Sequence, residues 1–167
     1  MSVEVKRASL EEIPNLRLPE FHEVDCLETD LDMEVFVVPT ISSAKIQCPF
    51  CGCSETISHG KEERFFRDWN IYEKRVGVTV NGRRYKCKNP ECGKTFALNF
   101  ECIDSGGKLS NRLRDTIQKE ALNNTFTSVA ERYGLGATTV ATAFESYTDI
   151  LQLRPEIKAP RVLGLDE

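Results

Sequence analysis

No stretch of the 167-residue sequence approaches the roughly 18 consecutive apolar residues that a membrane helix needs, so no span is expected. The opening MSVEVKRASLEEIPN lacks both the apolar core and the small-residue cleavage site of a secretory leader, which argues against export. No internal repeat and no low-complexity tract interrupts the chain. A composition of 40% hydrophobic and 29% charged residues excludes disordered and collagen-like classes and leaves a globular protein. The length suits one ordinary domain or two small ones that share surface.

A large net charge is also missing. The formal total is −4, which read alone argues mildly against nucleic acid. The distribution reverses that impression. Residues 1–44 hold ten acids and three bases, residues 45–109 hold twelve bases and eight acids, and residues 110–167 hold seven bases and eight acids. The basic excess therefore sits in the middle of the chain, between less basic flanks.

What is there begins with seven cysteines, Cys26, Cys48, Cys51, Cys53, Cys87, Cys92 and Cys102. An odd number without a leader fits a reducing compartment, where close cysteine pairs bind metal more often than they form disulfides. Cys48-Pro-Phe-Cys51-Gly52 is a C-x2-C knuckle whose glycine permits the tight turn beneath an ion. Cys87-Lys-Asn-Pro-Glu-Cys92-Gly93 is a C-x4-C with an Asn-Pro turn inside it. Four thiolates suit tetrahedral Zn²⁺ in a closed structural site, so Cys48, Cys51, Cys87 and Cys92 are the expected ligands. Cys53 and His59 are the competing candidates, and the other readings are free buried cysteines or a redox pair. Cys26 and Cys102 read as small core residues and His22 as a strand residue.

Residues 1–18 have no clear period and read as an irregular arm. Two strands are expected at 21–31 and 33–38, with Pro39 ending the second. Between the cysteine pairs, 75–80 and 83–87 flank Asn81-Gly82, a strong two-residue hairpin signal because both turn positions need positive φ. Such a hairpin would put Val76, Val78, Tyr85 and Cys87 on the core side. Arg75, Thr79, Arg84, Lys86 and Lys88 would share the other side, a basic stripe suited to DNA phosphates or simply a solvated face.

After the loop at 104–107, a helical region is expected over roughly 110–152, broken by Arg154 and Pro155. Ser110 can cap its start, and Leu113, Ile117 and Ala121 form one buried stripe. Ala130, Gly134 and Val140 carry the spacing of a helix-turn-helix: a small residue for close approach, a glycine turn and an apolar residue packing back. The second helix of that pair would turn Ala137, Thr138, Thr139, Ala141 and Thr142 toward a major groove, where threonine can contact base edges or thymine methyls. It carries no Arg or Lys before Arg154, and the competing use is packing or dimer contact. Residues 161–167 read as the start of a buried strand.

With these parts placed in order, the sequence resembles the ISL-three group of insertion-sequence transposases from about residue 21 onward. The resemblance rests on Cys-Pro-x-Cys-Gly at 48–52, His59-Gly60, Arg67-Asp68, Arg84-Tyr85-Lys86-Cys87, Cys87-x-Asn89-Pro90-x-Cys92, Thr95-Phe96 and Leu-Gly-Leu-Asp-Glu at 163–167. It implies a zinc ribbon, a helix-turn-helix that binds transposon ends and a ribonuclease-H-like catalytic domain with a DDE triad holding Mg²⁺. Asp166 matches the first triad carboxylate, and the sequence ends at Glu167 before the other two. The chain is therefore expected to bind double-stranded DNA in a bacterial cytoplasm, at the nucleoid, without cutting it alone. A homodimer is compatible with the pattern.

The expected fold is α+β: an arm and β segment at 1–44, a zinc ribbon at 45–104, a helix-turn-helix at 108–153, then a linker and strand stub at 154–167. The expected DNA contacts are Arg75, Arg84, Lys86, Lys88, Thr138, Thr139 and Thr142. The alternatives are a non-catalytic DNA-binding regulator derived from a transposase, or a protein-interaction module.

Overall fold

The computed structural model describes residues 4–9, 11–41, 46–104 and 106–152. Arg154, Pro155 and the 161–167 stretch with Asp166 lie outside the described residues. The fold is sheet-rich α+β. Its strands are β1 Lys6–Arg7, β2 Phe21–Glu28, β3 Asp32–Pro39, β4 Thr56–Ile71, β5 Lys74–Cys87 and β6 Thr95–Ala97. Among the described residues three helices follow: α1 Asn111–Glu120, α2 Phe126–Tyr133 and α3 Ala137–Gln152. Among the described residues, no helix is long and apolar enough to cross a membrane.

The strands form one sheet in the order β1-β2-β3-β5-β4, with β6 also pairing β5. β3 and β5 run parallel, and the remaining pairs are antiparallel. Period-2 alternation in β3 sends Met33, Val35 and Val37 to one face. There they meet Val76, Val78, Val80 and Phe66, under a cover that includes Leu16 and Leu18. The arm is thus less irregular than its sequence suggests: β1 pairs β2, and two of its leucines enter the core. The first expected strand stops at Glu28 rather than at 31. Thr29 closes a turn there, its N–H donating to the Asp32 carbonyl at 2.8 Å and its hydroxyl accepting from the Asp32 N–H at 3.0 Å.

The larger difference concerns the hairpin. Asn81-Gly82 makes no turn; it lies inside β5, opposite Glu63 and Glu62 of β4. The chain reverses instead at Tyr72-Glu73, whose φ values of 49° and 64° meet the two-residue requirement for positive φ. Two ordinary residues in that region cost about 1–2 kcal/mol each. The longer ladder outweighs this. It runs from Thr56↔Cys87 to Ile71↔Lys74, while the opposite edge of β5 pairs β3 from Arg75 to Val80. Each ladder hydrogen bond contributes about 0.5–1.5 kcal/mol net. A fold-back at 81–82 would pair only the short runs 75–80 and 83–87.

An unbroken β5 also redistributes its side chains. Arg75, Tyr85 and Cys87 now share one parity and Val76, Val78, Arg84 and Lys86 the other. The expected single basic stripe is therefore corrected: Arg75 points away from the face that carries Arg84 and Lys86. Among the described residues, two smaller cores lie beside this one. One holds Ile46, Cys48, Cys87 and Phe96 around the cysteines, and the other packs α1, α2 and α3 on one another.

Candidate metal centre and nucleic-acid interface

The two knuckles face each other at the far end of the β4–β5 ladder. Gly52, at φ 73°, lets its N–H return to the Cys48 carbonyl at 2.8 Å. Gly93, at φ 55°, does the same for the Asn89 carbonyl at 2.9 Å, while the Asn89 side chain accepts the Glu91 N–H at 3.0 Å. These turns aim Cys48, Cys51, Cys87 and Cys92 inward, and their sulfurs all lie within 4.8 Å of one another. Cys48 and Cys92 Sγ are 3.7 Å apart, and Cys51 and Cys87 Sγ 3.6 Å. A tetrahedron with Zn–S bonds of about 2.3 Å spaces its sulfurs by about 3.8 Å, close to these two separations, so the four thiols suit that ion.

The electrostatics agree with a site that needs a cation. Burial works to raise Cys48, but the N–H donors of Phe50 and Cys51 and the neighbouring thiols bring it down to about 7. Burial pushes Cys87 up to about 12, with the surrounding sulfurs adding to the rise. Cys92 is raised as well, although the Lys94 N–H pulls against it. Crowded thiols cannot all ionise alone, and a bound divalent ion lets them. Cys53 stands outside the group, half-buried, its thiol 3.9 Å from the Glu55 carbonyl. His59 is exposed on β4. Cys26 and Cys102 sit away from the knuckles, their thiols pushed up by burial to about 11 and about 12.

At the other end of the ladder stand the helices. Ser110 caps α1, accepting the Leu113 N–H at 3.2 Å, and Leu113, Ile117 and Ala121 are buried on one stripe. Gly134 ends α2 in the left-handed conformation at φ 63°, and Leu135 N–H reaches the Ala130 carbonyl at 2.8 Å. Ala130 and Val140 meet in the core between α2 and α3. That core leaves Thr138 and Thr142 exposed on α3 and Thr139 half-exposed. A Cβ at Gly134 would meet Arg75 Cδ at 3.1 Å and Arg67 Nη2 at 3.3 Å, so the turn also abuts the sheet.

Sequence reasoning missed the seam that joins the two ends. Four consecutive β4 residues make it. The Arg67 N–H donates to the Lys108 carbonyl and its carbonyl accepts the Ser110 N–H, both at 2.8 Å. Buried Asp68 accepts the Ser110 hydroxyl at 2.6 Å and both donor arms of the Arg112 guanidinium. The Trp69 indole N–H reaches the Arg112 carbonyl and Thr116 hydroxyl, and the Asn70 amide donates to the Arg132 carbonyl. The one sequence signal for the seam is the Arg67-Asp68 pair, whose neighbours in the chain assign it no role.

The expected DNA contacts divide between the ends. Arg75 lies beside the Gly134 turn, ion-paired to Asp32 at 2.5 Å. Arg84 is paired across the ladder to Glu62 at 3.4 Å, and exposed Lys86 and Lys88 run on toward the knuckles. Asp166 lies outside the described residues.

Two family models match the chain. One, described as the zinc-finger of transposase IS204/IS1001/IS1096/IS1165, covers residues 44–94. The other, described as the helix-turn-helix domain of transposase family ISL3, covers residues 101–148. No curated protein and no solved structure matches.

Proposed function

We propose, for a chain that carries the zinc ribbon and helix-turn-helix of ISL3 transposases one after the other, that its work is to hold double-stranded DNA at transposon ends. The observation that supports this best is the exposed threonine face of α3 on a helix pair whose turn is built by Gly134. Thr138, Thr139 and Thr142 are the side chains offered to base edges. Lys86 and Lys88 on the ribbon add contacts to phosphate that carry no sequence information, with Arg84, shared with Glu62, beside them. Arg75, tied to Asp32, contributes less.

In this reading the zinc is structural. Held by Cys48, Cys51, Cys87 and Cys92, it closes the end of the ribbon and stiffens the surface that bears Lys86 and Lys88. The seam at Asp68 and Arg112 ties the ribbon's β4 to the helices, so a duplex held by one part is held by a body that includes the other.

The experiment is a titration of the zinc-loaded chain against duplexes from the ends of its parent element and against scrambled duplexes of equal length. End duplexes should bind more tightly, by at least tenfold at physiological salt. Equal affinity for both would remove end recognition, and no affinity for either would remove DNA binding.

A further inference from the structure

If α3 reads DNA, its own sequence leaves it short of charge. From Ala137 to Gln152 it carries no base, and Glu145 and Asp149 are both acidic. A helix of that kind gains nothing from phosphates flanking a groove unless neighbouring elements supply cations.

The structure sets two beside it. The segment leading into α1 and the exposed side of α3 form a depression of about 420 Å³ whose lining includes Lys108, Arg114, Thr138, Thr139 and Thr142. The three threonines are the ones already assigned to base contact. Lys108 is exposed at the end of a tight loop, and that loop is held in place. Its Asp104 carboxylate accepts the Lys108 and Leu109 N–H groups at 3.0 and 3.1 Å, and Leu109 is buried in the helical core. Arg114 reaches across from α1, donating to the Ser146 hydroxyl of α3 at 2.7 Å.

The ion pairs single out these two bases. Of the cations on and just before the helices, Arg112 is taken by Asp68 and Arg132 by Glu120. Lys119 is exposed on the last turn of α1 and does not line the depression. Among the described residues, neither Lys108 nor Arg114 forms an ion pair. Asp104 is the one carboxylate of the lining, and one of its oxygens already accepts two backbone donors.

We propose that Lys108 and Arg114 are the phosphate contacts of the recognition helix: lining the same depression as Thr138 and Thr142, they bind the duplex backbone there and supply the charge that α3 lacks. This rests on the DNA-binding reading above. The pair acts on any duplex, while the threonines decide which sequence is preferred.

The test uses the full zinc-loaded chain and a mixed-sequence 24-base-pair duplex, with affinity measured across a salt series. Lys108→Ala and Arg114→Gln should each weaken binding and lower the slope of log affinity against log salt by about 0.9, one phosphate contact apiece. Lys108→Arg should restore the slope, and Lys119→Ala should leave it unchanged. Circular dichroism of each variant reports whether the helices are intact, and Lys108, exposed on its loop, decides the matter if Arg114→Gln unfolds. Wild-type binding with an unchanged slope in folded Lys108→Ala overturns this inference and leaves the DNA-binding reading standing. A wild-type chain that ignores the duplex overturns both.

Discussion

The carboxylate of Asp68 on β4 is held by the guanidinium of Arg112 on α1, the carboxylate wholly buried and the guanidinium three-quarters so. Ser110 completes the arrangement, donating to Asp68 while it caps the helix that carries Arg112. One carboxylate thereby fixes both the first turn of α1 and the distance between helices and sheet.

Removing one partner of a buried ion pair strands the other, at a cost of about 3–5 kcal/mol. Asp68→Ala should therefore lower the thermal midpoint sharply, and Arg112→Ala should do nearly as much. The double variant should be less destabilised than the sum of the two, because no charge is left alone. Thermal unfolding of the three variants gives the coupling, and strict additivity would show that the contact contributes nothing.

The relocated turn yields a second expectation. Tyr72→Asn with Glu73→Gly replaces two strained residues by the pair that tolerates positive φ best, and should stabilise the chain by about 1 kcal/mol. Asn81→Thr with Gly82→Thr should be tolerated, since both positions lie within a strand. Chemical denaturation measures both, and the opposite pattern would return the hairpin to 81–82.

Metal and thiol chemistry can be read together. Elemental analysis should find one zinc per chain, lost in Cys87→Ser and kept in Cys53→Ser. With the metal bound, Cys53 should alkylate first. Cys26 and Cys102, their thiols pushed up by burial to about 11 and about 12, stay protonated near pH 8 and should react only on unfolding. Mass-spectrometric mapping before and after a chelator should then add Cys48, Cys51, Cys87 and Cys92 together.

Two glycines near the start of α3 should differ. Gly134→Ala must adopt φ 63° and crowd Arg75, so a loss of about 1–2 kcal/mol is expected. At Gly136 an added methyl meets only Thr138 and Thr139 hydroxyls at ordinary contact distance, and Gly136→Ala should be nearly neutral. Equal midpoints for the two variants would contradict the turn geometry.

On the ribbon, Lys86→Ala with Lys88→Ala should weaken binding to end and scrambled duplexes alike and flatten the salt slope by about 0.9 per lost contact. Arg75→Ala should change the slope less, because Asp32 already holds that guanidinium. A salt series on both duplexes decides it, and an unchanged slope in the lysine variant would make the ribbon face merely solvated.

The parts that the sequence determined by itself are those written in short-range chemistry. A C-x2-C and a C-x4-C each bring two sulfurs together within a single turn. Leu113, Ile117 and Ala121 recur at the helical period, Ser110 caps within three residues, and Gly134 supplies a left-handed turn that few other residues tolerate. None of these needs a distant partner. The turn of the ribbon was decided elsewhere: Asn81-Gly82 is a strong local preference, but a ladder from Thr56 to Cys87 and a parallel strand from Asp32 to Val37 both require β5 to run straight. The same pairing carried Arg75 to Asp32 and away from Lys86. Asp68, given no task by its neighbours in sequence, is the centre of the seam because the chain brings Ser110 and Arg112 to it from more than 40 residues away. Lys108 and Arg114 likewise stand beside the threonines of α3 only once the three helices have packed. A local pattern records what a few neighbouring residues prefer; which edge, face or charge each one meets is set by contacts whose energies appear only when the whole chain closes.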